Sequence, residues 1–188
     1  MASQKELVAV VADKMRVPLE TVTVVDRFLA EAGLRTRALR GRANTQMTYV
    51  DAANLIIATA LGSAPKDAVR QVVEYGQLHA TRVREDASIA DDALGATFGE
   101  ALANVIESVA ASREEFSAHE DSPKHMAMTV RMYGPDARAE IRLVRAGVPT
   151  TFLFGPMYGQ SGDLQRIAEF SQLTLGFVGE AIAAGLST

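Results

Sequence analysis

Val17-Pro18-Leu19-Glu20-Thr21-Val22 opens the stretch that decides the N-terminal architecture, and Gly33-Leu34-Arg35-Thr36-Arg37-Ala38-Leu39-Arg40-Gly41-Arg42-Ala43-Asn44-Thr45 closes it. Pro18 forbids continuation of a preceding helix, and its fixed φ suits the first turn of a new one. Val22, Val25, Phe28 and Leu29 then recur at helical spacing, and Gly33 supplies a left-handed stop, so a helix is expected over about 18–32. The loop that follows holds Arg35, Arg37, Arg40 and Arg42 with no carboxylate among them. Its guanidiniums are therefore expected to be free for an external anion, with a phosphate backbone as the natural case. The plainer use of such a loop is as a solvated charged surface.

Working outward, Ser3-Gln4-Lys5-Glu6 forms a capping box for a first helix through Leu7, Val8, Val11 and Met15. Downstream of the loop, Thr48-Tyr49-Val50-Asp51 caps a third helix through Ala52, Leu55, Ile56 and Leu61. Ser63-Ala64-Pro65 opens a fourth that carries Val69, Val72, Val73, Tyr75 and Leu78 and closes a first domain near Thr81. An acidic linker is expected over residues 82–92. Leu94, Phe98, Leu102, Val105, Ile106 and Val109 trace one face of a fifth helix, followed by a polar loop over 112–124.

At Met126, Met128, Val130 and Met132 the apolar period switches to two, which is the spacing of a strand. Gly134-Pro135-Asp136 makes a turn, a second strand runs through Ala139, Ile141 and Leu143, and a third covers Thr150 to Phe154. After a glycine-rich loop, Leu164, Ile167, Phe170, Leu173, Phe177, Val178 and Ile182 read as a final helix that covers this small antiparallel sheet. The fold class expected is α+β: an all-helical domain over 1–81, and over 93–188 a module of one helix, three strands and a final helix.

Composition excludes several chemistries. The 188 residues carry no cysteine, which removes disulfides, thiolate metal sites and cysteine nucleophiles. No apolar run reaches the roughly 20 residues of a membrane span, and Lys5 and Glu6 sit inside an amphipathic pattern rather than a leader, so a cytoplasmic protein is expected. The net charge of −4 argues against a non-specific nucleic-acid coat. The charge is unevenly spread, however: residues 84–121 are acid-rich while the loop after Gly33 is purely basic.

Ala12-Asp13-Lys14-Met15, then Val17-Pro18 and Thr21-Val22, resemble the turn of helix-turn-helix regulators. The further order of helix end at Gly33, arginine loop and helix at Thr48-Tyr49-Val50-Asp51-Ala52 is similar to the winged modules of MerR-type regulators, excisionases and phage small-terminase subunits. The likeness covers about residues 6–62 and rests on the order of parts. It implies a sequence-specific double-stranded DNA-binding protein, foremost a bacterial or phage transcriptional regulator, with a DNA-packaging subunit or a structural adaptor as alternatives. It further implies that Thr21, Thr23 and Arg27 read DNA from the second helix while Arg35, Arg37, Arg40 and Arg42 grip phosphate. Glu20 and Asp26 depart from the pattern, since acids repel phosphate. A helix-turn-helix that meets one half-site works best as an oligomer, and Phe170, Leu173 and Phe177 are the expected contact surface.

Other constellations carry less. His119-Glu120-Asp121 with His125 matches no metal-ligand spacing, and the loop from Phe154 to Asp163 lacks the lysine of a phosphate-binding P-loop. Neither a metal, a cofactor nor a catalytic group is expected. Arg131, Arg138 and Arg142 should share one sheet face with Glu140 as cross-strand partner, an arrangement that suits an acidic partner if Glu140 is engaged elsewhere.

Overall fold

Residues 2–37, 46–85, 89–118, 122, 124–156 and 165–184 are described by a computed structural model. Helix α1 (Gln4–Met15) starts on the expected box: the Glu6 N–H donates to the Ser3 hydroxyl at 3.3 Å and the Ser3 N–H to the Glu6 carboxylate at 2.7 Å. It stops at Arg16, which takes a left-handed φ of 56°, and Val17-Pro18 turns the chain into α2 (Leu19–Glu31). Gly33 follows at φ 75°. Helix α3 (Tyr49–Ala60) is boxed by Thr48 and Asp51. The fourth expected helix is a 3-10 turn at Pro65–Asp67 followed by the shorter α4 (Ala68–Gly76).

From here the structure departs from expectation. Ala80–Arg84 form strand β1, so the closing turn of the first domain and the start of the supposed linker are a sheet edge. Thr97 and Glu100 box the start of α5 (Phe98–Ala111), and the polar stretch after it begins with the five-residue α6 (Arg113–Ser117). Strands β2 (Met126–Gly134), β3 (Arg138–Arg145) and β4 (Val148–Phe154) form where the two-residue period placed them. The last expected helix is split: Arg166–Ser171 are β5, and only Gln172–Ala184 form α7.

The sheet has five antiparallel strands in the order β1-β4-β3-β2-β5. Its two unexpected members are its edges. Pairing with β2 overrides the helical spacing of Ile167 and Phe170, because a strand there satisfies the backbone groups along the outer side of β2. Val130, Met132, Ile141, Phe152, Phe154 and Phe170 point to the face on which the helices pack. One continuous apolar cluster runs from Leu7, Leu29 and Ile56 in the N-terminal helices to Ile106, Ile141, Phe154 and Leu175. Helices α5 and α7 cross so closely that a Cβ on Gly179 would lie 2.5 Å from the Ile106 carbonyl oxygen. No helix among the described residues is long and apolar enough to cross a membrane.

Candidate nucleic-acid interface

The arginine segment leaves α2 and returns to α3 through two anchored stems. Asp51, buried at the first turn of α3, accepts the Thr48 N–H at 2.8 Å and the Thr36 N–H at 2.7 Å with its two carboxylate oxygens. The Asn54 side-chain amide donates to the Leu34 carbonyl at 2.8 Å, and the Met47 N–H donates to the Ala2 carbonyl at 3.2 Å. The capping residue of one helix thus also fixes the base of the loop. Residues 34–37 and 46–48 form no strand, so the described flanks are not the arms of a β wing. Arg40 and Arg42 lie outside the described residues.

Arg35 is a correction. Its Nε sits 2.8 Å from Asp26 Oδ1, with the Arg35 side chain 15% exposed and that of Asp26 3%. The contact is one of charge against charge, without hydrogen-bond alignment, while the Gln4 side-chain amide donates to Asp26 Oδ2 at 2.8 Å. Burial pushes the Asp26 carboxyl above its ordinary range, against the lowering effect of Gln4 and Arg35. Arg35 is therefore occupied within the fold and is not a free phosphate ligand. Asp26 does not stand on the outer face of α2, because it falls in the inward stripe of Val22, Val25 and Leu29. Arg37 stays exposed, with its Nε donating to the Ala30 carbonyl at the end of α2.

Exposed positions on α2 are Leu19, Glu20, Thr23, Arg27 and Glu31, with Thr21 half-buried beside them. The Thr23 hydroxyl donates to the Leu19 carbonyl at 2.8 Å, which leaves it an acceptor toward a ligand. Arg27 lies 3.8 Å from Glu31 and 5.6 Å from the centre of the Phe28 ring. Such an exposed pair is weak and yields readily to a phosphate. Two carboxylates against one guanidinium make this face less basic than the loop beside it.

Of the three apolar residues expected at a subunit contact, Phe170 is corrected: it is 9% exposed and faces the core from β5. Leu173 and Phe177, one turn apart on α7, are 66% and 42% exposed, and the Lys14 ammonium from α1 sits 4.0 Å above the Phe177 ring. Beside them lies an open groove of about 440 Å³ lined by Lys14, Arg16, Glu169, Thr174 and Phe177 among others. His125 is placed with its Nδ1 at 2.8 Å from the Ala118 carbonyl. His119, Glu120 and Asp121, and Asp163 with most of the glycine-rich loop, lie outside the described residues.

Sequence reasoning missed the Asp26–Arg35 pair and the anchoring roles of Asp51 and Asn54. Asp26 follows Val22 by four positions and precedes Leu29 by three, so its place in the inward stripe was a readable signal. Comparison with family models, with curated proteins and with solved structures found no match, so the functional reading rests on this geometry.

Proposed function

We propose that the chain is a sequence-specific double-stranded DNA-binding protein of the cytoplasm, acting as a transcriptional regulator through a helix-turn-helix made of α1, the Arg16-Val17-Pro18 turn and α2. The observation that carries the reading is the anchored loop. Asp51 and Asn54 tie Leu34, Thr36 and Thr48, on either side of the arginine segment, to the start of α3, and Arg37 at the near end of that segment donates to Ala30 of α2, while Arg40 and Arg42 follow in sequence outside the described residues. In this reading they grip phosphate, which supplies affinity and register, while Thr21, Thr23 and Arg27 meet base edges or the adjacent backbone. Glu20 narrows the choice of sites, since a carboxylate facing the groove accepts from a cytosine amino group and repels phosphate.

One such reader covers one half-site, and we include self-association in the proposal, through Leu173 and Phe177 on α7. The test is a site-selection experiment on genomic fragments followed by binding to the selected and a random duplex. Thr21→Ala is expected to weaken binding to the selected site while leaving the random duplex nearly unchanged. Equal losses on both would remove α2 as the reading helix, and absence of duplex binding at low salt would remove the proposal.

A further inference from the structure

The sheet face turned away from the helices is lined by arginines, three of which have no ion-pair partner among the described residues. Val83 faces the core opposite Phe152, which puts Arg82 and Arg84 of β1 on the outer face. Arg142 of β3, paired with Thr151 and Thr129, and Arg138, paired with Tyr133, project the same way. The carboxylates Glu140 and Glu169 share this face, and both are spent on one residue: Arg131 Nη1 meets Glu140 at 3.0 Å and Arg131 Nε meets Glu169. Among the described residues Arg82, Arg84 and Arg142 have no ion-pair partner, and all three are exposed.

Geometry adds stacking to charge. The Arg138 guanidinium lies 4.3 Å from the centre of the Tyr133 ring and is held there by Nη2 donating to Gln165 at 2.7 Å, so a flat guanidinium surface lies over an aromatic one. Arg82 and Arg84 are about 7 Å apart along β1, and Arg142 lies two strands away at about 10 Å. The chain as a whole is acidic, with a net charge of −4, so this concentration of positive charge is local.

We infer that the outer face of the sheet binds single-stranded nucleic acid, with Arg82, Arg84 and Arg142 on the phosphates and the Arg138–Tyr133 stack under a base. A five-stranded sheet face is too broad to enter a duplex groove, whereas a single strand can lie across it with its bases turned down onto stacking groups. An acidic peptide would use the guanidiniums but leave the stack idle. The inference is independent of the duplex reading, because it uses neither α2 nor the arginine loop.

The experiment is fluorescence anisotropy of a labelled 20-nucleotide oligothymidylate with the full chain. With three phosphates engaged, raising salt from about 50 to about 200 mM should weaken wild-type binding about 20-fold, and should hardly change the residual binding of Arg82→Ser/Arg84→Ser/Arg142→Ser, where none of the three phosphate contacts remains. That variant should keep the wild-type melting temperature, since its targets are exposed and, among the described residues, unpaired. Tyr133→Leu should weaken binding about tenfold with the salt dependence unchanged. Arg40→Ala/Arg42→Ala should leave oligothymidylate binding intact, which separates failure here from failure of the duplex reading. Unchanged binding by the triple variant, or loss in the loop variant instead, would overturn the inference. So would competition by poly-L-glutamate as effective as by unlabelled oligothymidylate, which would assign the face to an acidic protein.

Discussion

Arg35→Ala removes the cation that sits 2.8 Å from the Asp26 carboxylate and leaves that carboxylate, in a residue 2% exposed, with the Gln4 amide. Stripping one partner from a buried ion pair costs about 3–5 kcal/mol, because the remaining charge stays desolvated. Asp26 has an escape, which is to take up a proton, and this sets a ceiling. The climb from the carboxyl's ordinary value of 3.8 to pH 7, at about 1.36 kcal/mol per pH unit, comes to about 4.4 kcal/mol. At pH 5 the same ceiling is about 1.6 kcal/mol. The expected loss is thus about 3–4 kcal/mol at pH 7 and below about 2 kcal/mol at pH 5. Burial already raises the Asp26 pKa in the wild type, so its contribution to stability is fully present below 3.8 and is lost as pH rises through the folded value. Removing Arg35 deepens that loss. Urea unfolding followed by circular dichroism at the two pH values measures it, and Asp26→Asn/Arg35→Ala should recover most of the deficit at pH 7 and lose the pH dependence. A deficit below about 1 kcal/mol, or one equal at pH 5 and pH 7, would refute the assignment of Arg35 to the fold rather than to a ligand.

Two further variants test other parts of the structure. Gly179→Ala should destabilise by about 1–3 kcal/mol in thermal or urea unfolding, because its methyl would press on the Ile106 carbonyl and lie 2.8 Å from the Ala110 Cβ, and α5 and α7 must separate to admit it. Leu173→Ser/Phe177→Ser should leave the fold intact, since neither side chain is part of the buried core, and convert an oligomer to a monomer in sedimentation at micromolar concentration; a wild-type chain that is already monomeric there would end the α7 contact proposal.

What was legible in the chain is what local chemistry dictates. The boxes at Ser3/Glu6 and Thr48/Asp51, the left-handed Gly33 and the alternation from Met126 to Met132 depend on neighbours within a few residues, and each formed as read. The edge strands were not legible for a physical reason. β1 fully buries only Val83, with Ala80 partly buried against the core, and shows no apolar alternation, while Arg166–Ser171 carries apolar residues at a spacing equally suited to a helix. In both cases pairing with a distant strand decides the conformation, and that partner lies 32 or more positions away in sequence. The arginine loop shows the same limit at the candidate site. A lack of carboxylates within the loop suggested four free guanidiniums, yet the acid that claims Arg35 comes from the preceding helix.

The central claim, that the anchored arginine loop grips duplex phosphate, is tested most directly by the salt dependence of duplex binding for the wild-type chain and for Arg40→Ala/Arg42→Ala. Each phosphate left without its arginine should lower the slope of log K against log salt by about 0.9, so the account predicts a slope reduced by about two, with affinity falling equally on selected and random duplexes. An unchanged slope and affinity in the double variant would contradict it.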